Sequence, residues 1–164
     1  MDTYKTKSEE GTFEVGKEFG KMLKKGDIIC INGDLGVGKT VFVRGVARTL
    51  GVKGYLTSPT FTIVNEYETS TIPLYHLDLY RIDDPEEFYE FGIEEYLDDG
   101  IVIIEWANKV ESVLPENPIY IEIKKTKRGE NERIIRIRRL GNGRDENISS
   151  WYIDFNGWNS STWR

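Results

Sequence analysis

The sequence has one cysteine, one histidine and no apolar run long enough to cross a bilayer. A lone thiol excludes an internal disulfide framework, and Cys30, set in Ile28-Ile29-Cys30-Ile31, suits a small buried core residue. A lone histidine, His76, leaves no case for a zinc site; a catalytic role and a strand histidine satisfied by a neighbour both stay open for it. A membrane-spanning helix needs about 20 consecutive apolar residues, and residues 1 to 5 lack an apolar signal core. A cytoplasmic protein with no membrane partner is therefore expected. Net basic charge is lacking too. A formal charge of −6 argues against a protein that coats bulk nucleic acid.

What is present is a globular composition, 38% hydrophobic and 30% charged over 164 residues, enough for one full core. The charge is segregated. Nine Lys or Arg stand against two Glu between Lys124 and Arg144, whereas Asp83 to Asp99 holds nine acids and no base. The basic stretch offers a surface for a specific partner, with tRNA contact and a solvated hairpin both open. Residues 1–144 read as one domain. Residues 145–164 read as a Trp-rich extension whose Trp151, Trp158 and Trp163 either pack on the domain or serve a partner.

Periodicity divides the domain into alternating helices and strands. Ser8 caps a helix carrying Val15, Phe19, Met22 and Leu23 before Gly26, with Gly11 and Gly16 weakening its start. Residues 28–31 form a strand, 39–50 a helix stopped by Gly51, and 60–67 and 73–79 two further strands. A helix over 85–97 breaks near Gly92, an apolar strand follows at 101–105, and 119–123 with 133–140 make a half-exposed hairpin. This order predicts an α/β fold with a mainly parallel central sheet extended by an antiparallel hairpin.

Gly33-Asp34-Leu35-Gly36-Val37-Gly38-Lys39-Thr40 matches the pattern G-x-x-x-x-G-K-S/T between a strand and a helix. Glycines there allow backbone amides to approach phosphates, Lys39 to bridge phosphate oxygens and the Thr40 hydroxyl to meet Mg²⁺. Asp78 and Glu105, each ending an apolar strand, are the candidate carboxylates for Mg²⁺ or for the attacking water. Thr60, in Ser58-Pro59-Thr60, suits a hydroxyl that senses phosphate or metal, Trp106 packs over the nucleotide or anchors the sheet edge, and Arg81 approaches phosphate or pairs with the acids after it. Asn108-Lys109-Val110-Glu111 nearly spells the guanine-reading N-K-x-D, yet ends in Glu and begins three residues after Glu105. ATP is therefore favoured over GTP.

The phosphate loop, Ser58-Pro59-Thr60-Phe61-Thr62, His76-Leu77-Asp78-Leu79-Tyr80-Arg81 and Ile104-Glu105-Trp106, in this order, resemble the TsaE (YjeE) family over about residues 8 to 140. That resemblance implies a P-loop NTPase-like three-layer sandwich and a Mg²⁺-dependent ATPase with weak intrinsic activity. It also implies work with the partners TsaD and TsaB in the threonylcarbamoyl-adenosine modification of tRNA. Carried over by matching segments, Lys39 binds phosphate, Thr40 and Glu105 serve Mg²⁺ and catalysis, Asp78 joins that centre, Thr60 lies in a switch-like segment, and Trp106 affects activity. A small-molecule kinase and a nucleotide-dependent binding module are the rival expectations.

Overall fold

The computed structural model describes residues 1–59, 61–127 and 129–139. Thr60 and the Trp-rich extension at 145–164 lie outside the described residues. Seven strands form one sheet: β1 (Asp2–Thr6), β2 (Ile28–Asn32), β3 (Val64–Tyr67), β4 (Leu74–Asp78), β5 (Ile101–Glu105), β6 (Ile119–Lys125) and β7 (Arg133–Arg139), in the order β1-β7-β6-β2-β5-β4-β3. Strands β6, β2, β5 and β4 run parallel, with β3 antiparallel beside β4 and β7 antiparallel beside β6. The antiparallel extension expected from the hairpin is present. β1, which pairs with β7, was not expected. Four of its five residues are exposed, so it lacks the apolar signal by which a strand is read.

Helices cover both faces, giving the expected three layers. α1 (Glu9–Gly20) and α2 (Lys39–Leu50) lie on one face, over Ile29, Ile31, Ile101, Ile103, Ile121 and Ile123. A 3-10 turn (Pro85–Phe91) and α3 (Ile93–Asp99) lie on the other, burying Phe88 and Ile93 against Leu77, Val102 and Ile104. The acidic stretch is thus helical, and Asp84 caps it by accepting from the Glu86 amide at 3.0 Å.

Ser8 caps α1 as expected, its Oγ accepting from the Gly11 amide at 3.0 Å. Met22 falls beyond the helix end and is 54% exposed, so the periodicity overran by one turn. Gly16, which weakens a helix in isolation, has a packing purpose here. A Cβ on Gly16 would stand 2.2 Å from the Phe42 carbonyl oxygen, and one on Gly45 would stand 2.1 Å from that of Phe13. The two helix backbones touch, which only glycine permits.

The hairpin differs from expectation at β6. Its first five residues are all buried, because β6 sits inside the sheet beside β2. Glu122 is buried with them, 2.6 Å from the Lys124 ammonium and 3.8 Å from the Arg136 guanidinium. Burial holds its carboxyl above the ordinary carboxylate range, against the pull of those two cations.

Candidate functional site

Parallel strands end at a common edge, and in open α/β sheets ligands bind beyond those carboxyl ends. β2 runs from Asn32 into the Gly33 to Thr40 loop, which hands directly to α2. Gly36 (φ 71°) and Gly38 (φ 111°) adopt the left-handed backbone that residues with a Cβ avoid. A Cβ on Gly33 would stand 2.5 Å from the Ile123 carbonyl oxygen, so this loop position is closed to larger residues. Val37 points the other way. Its side chain is 1% exposed in the core, and its carbonyl accepts from Arg133 Nε at 2.7 Å.

Lys39 is nearly buried, with Nζ donating to the carbonyls of Gly33 at 2.7 Å and Asp34 at 3.0 Å, and lying 4.6 Å from the centre of the Trp106 ring. Burial lowers its pKa from the ordinary lysine value. The charges of Glu105, Asp78 and Asp34 pull in the opposite direction. Those two strand-end acids arrive through register: β4 and β5 pair in parallel with Asp78 opposite Glu105. Both are buried, at 6% and 3% exposure.

A cavity of about 410 Å³ opens between the loop and the acids. Leu35, Gly36, Gly38, Lys39, Thr40, Asp78, Glu105 and Trp106 line it, as does Ser58. Of the loop residues singled out from sequence, Gly33 and Asp34 serve through their carbonyls to Lys39, and Val37 anchors the loop below.

Trp106 reaches the cavity because its backbone turns left-handed immediately after β5, at φ 60°, with its amide donating to the Ile31 carbonyl at 3.2 Å. The Tyr80 ring packs against it at 5.2 Å. Arg81 stands over the Phe61 ring at 4.8 Å, an arrangement the sequence reading did not foresee.

Sequence reasoning missed the partners in four contacts at the site. Ser58 Oγ donates to Asp78 Oδ2 at 3.0 Å, while the Tyr80 amide donates to Asp78 Oδ1 at 3.0 Å. Ser58 lies in the turn where a hydroxyl was expected; Thr60, the residue singled out there, lies outside the described residues. Arg133 reaches the loop from a residue 96 positions away, a separation no local pattern reports. His76 is wholly buried, with Nε2 2.9 Å from Glu105 Oε1. The Asn108-Lys109 segment supports the fold: Lys109 Nζ donates to the carbonyls of Tyr80 and of Ile82, the latter at 2.8 Å.

These residues suit a Mg-nucleotide in kind. The loop has left-handed glycines and a nearly buried amine, and a hydroxyl and two carboxylates share its cavity. Among the described residues no three His, Cys, Asp or Glu are grouped to hold a metal ion. Mg²⁺ needs no such cage, because it keeps waters and phosphate oxygens as most of its ligands.

Fold and site together define a P-loop-like α/β protein. The family described as "Threonylcarbamoyl adenosine biosynthesis protein TsaE" matches residues 6–135. The chain belongs to the TsaE family. It is 39% identical over 140 residues to the tRNA threonylcarbamoyladenosine biosynthesis protein TsaE of Bacillus subtilis, covering 85% of this chain and 86% of that one. The protein of the same name in Aquifex aeolicus is 40% identical over 134 residues, covering 80% and 92%. In three dimensions the chain is similar to the crystal structure of YdiB of Bacillus subtilis, with TM-score 0.72, 33% identity and coverage of 94% and 95%.

Proposed function

We propose that this protein binds ATP with Mg²⁺, hydrolyses it slowly on its own, and uses that hydrolysis to drive or reset a TsaD-TsaB complex during threonylcarbamoyl-adenosine modification of tRNA. The observation that carries the reading is the meeting of Lys39, Thr40, Asp78 and Glu105 at one cavity below the N-terminus of α2. Family membership supplies the process.

In this reading the loop amides and Lys39 hold the phosphates, aided by the field of the α2 N-terminus. Thr40 and one strand-end carboxylate hold the metal, and the other carboxylate orients the attacking water. Bound Mg²⁺ supplies neutralisation of the triphosphate charge. Lys39 exchanges its two carbonyl partners for phosphate oxygens, a stronger charge-assisted pairing. Trp106 shields that amine from water. Slow turnover in isolation follows if partner docking completes the alignment of the 57–63 segment beside Asp78.

The test is phosphate release by the purified chain, alone and with TsaD and TsaB, and again with Lys39→Ala. Stimulation by the partners, lost in Lys39→Ala, is expected. Hydrolysis indifferent to the partners defeats the resetting model, ADP formed only with a small acceptor indicates a kinase, and binding without turnover indicates a binding module. Glu105→Ala is expected to lower turnover by about 100-fold or more, with a far smaller effect on ATP affinity.

A further inference from the structure

His76, a buried titratable side chain against Glu105, is left without a task by the reading above. It lies on β4 two residues before Asp78, and alternation along the strand puts both on the face that carries α1 and α2. Strand β5 brings Glu105 to the same face, where His76 Nε2 meets Glu105 Oε1 at 2.9 Å. His76 is 0% exposed and does not line the cavity; Glu105 does. His76 therefore approaches the carboxylate from behind.

Hydrogen-bond accounting sets the tautomer. A carboxylate oxygen accepts, so the hydrogen of this bond belongs on Nε2. The other ring nitrogen, Nδ1, is buried with no hydrogen-bond partner among the described residues. A hydrogen on Nδ1 would be an orphaned buried donor, while a bare lone pair there is the smaller penalty. Both nitrogens favour the same form. Strand pairing fixes the ring's position, since His76 stands opposite Ile103, two residues before Glu105 on β5.

We infer that His76 is a positioning residue: its Nε2–H holds one oxygen of Glu105 from the core side, so that the other oxygen is presented to the cavity in one orientation. The inference deepens the nucleotide reading and rests on it for the purpose of Glu105, though the His76–Glu105 contact can be tested without nucleotide. Asp78 receives the parallel service from Ser58 and the Tyr80 amide. Each acid is thereby held by a donor outside the loop. An acid left to rotate would spend much of its time out of line with water or metal, and supporting partners of this sort are commonly worth about 10- to 100-fold in activity.

Because His76 is the sole histidine, ¹⁵N-histidine labelling of the full chain gives one imidazole to observe. Hydrogen on Nε2, with a Nε2 signal that moves in Glu105→Gln, is expected. Hydrogen on Nδ1, or a signal indifferent to Glu105→Gln, overturns the inference whether or not the chain hydrolyses ATP. In phosphate release, His76→Leu is expected to lower kcat about 10- to 100-fold while ATP affinity moves less than about threefold. His76→Gln, which offers an amide near the Nε2 position, should recover most of that loss. Equal damage by Leu and Gln, or loss of affinity in step with kcat, also overturns it. A wild-type chain that neither binds nor hydrolyses ATP sinks the proposed function instead, and the imidazole signal still decides whether His76 holds Glu105.

Discussion

The two faces of the sheet are built to different standards. One carries two helices of 12 residues each, pressed together through Gly16 and Gly45 until their backbones meet. The other carries a seven-residue 3-10 turn and a seven-residue helix, both rich in acid and separated by Gly92. Lys39, His76, Asp78 and Glu105 all belong to the first. The side chains of the candidate site thus sit against the regular, closely packed layer, as positioned sites require. The second layer mainly keeps water from the back of the strands.

The most severe test of that contrast is glycine against glycine. Gly45→Val drives side-chain carbon into the Phe13 carbonyl and should cost more than about 4 kcal/mol, enough to abolish cooperative urea unfolding. Gly92→Ala meets no atom within 4 Å and should lose only about 1–2 kcal/mol, from its left-handed backbone. Equal losses would erase the distinction between the faces. Next, Phe88→Ala empties the second layer's centre and should cost about 3–5 kcal/mol in denaturant unfolding. ATP affinity of the molecules still folded should hardly change, and a large change would show that the second face shapes the site.

Arg133→Ala cuts the brace to the Val37 carbonyl. A hydrogen bond to a charged group contributes about 1.5–3 kcal/mol, so ATP affinity by calorimetry should fall about tenfold or more. Unchanged affinity would mean that the loop keeps its shape without β7. The smallest effect belongs to the second face. Tyr75 donates to Asp99 Oδ2 at 2.9 Å, and burial, then that bond, push its phenol up to about 12. The folded state thus grips this proton more tightly than the unfolded chain. Its contribution is complete below about pH 10 and is lost as pH climbs toward 12. Tyr75→Phe should lose about 1 kcal/mol at neutral pH, and the gap to wild type should narrow over that window in urea titrations.

Much of this architecture was legible where the signal is local. The loop from Gly33 to Thr40 announces its own turn, and four apolar residues before Glu105 announce β5. The break at Gly92 and the stop at Gly51 follow from left-handed backbone at both. What could not be read lies in pairs distant along the chain. Nothing near Arg133 names Val37, nothing near His76 names Glu105, and β1 becomes a strand only because β7 offers an edge. Nothing near Ser58 names Asp78 either, although the same turn brings the Ile63 carbonyl back to accept from the Asp78 amide at 2.9 Å. Gly16 was misjudged for a related reason. Its helix-weakening tendency is local, whereas its partner is α2.

The antiparallel strands at the two ends of the sheet bear on how the molecule behaves in a crowd. A parallel core cut off at β6 and β4 would offer two rows of unpaired backbone groups flanked by Ile and Leu. The described strands instead end in β1 and β3, of five and four residues, with Asp2, Lys5 and Glu66 along them. Short, charged margins discourage strand addition between copies. The chain thereby keeps its most apolar strands inside its own sheet, away from the margins where another copy could add a strand.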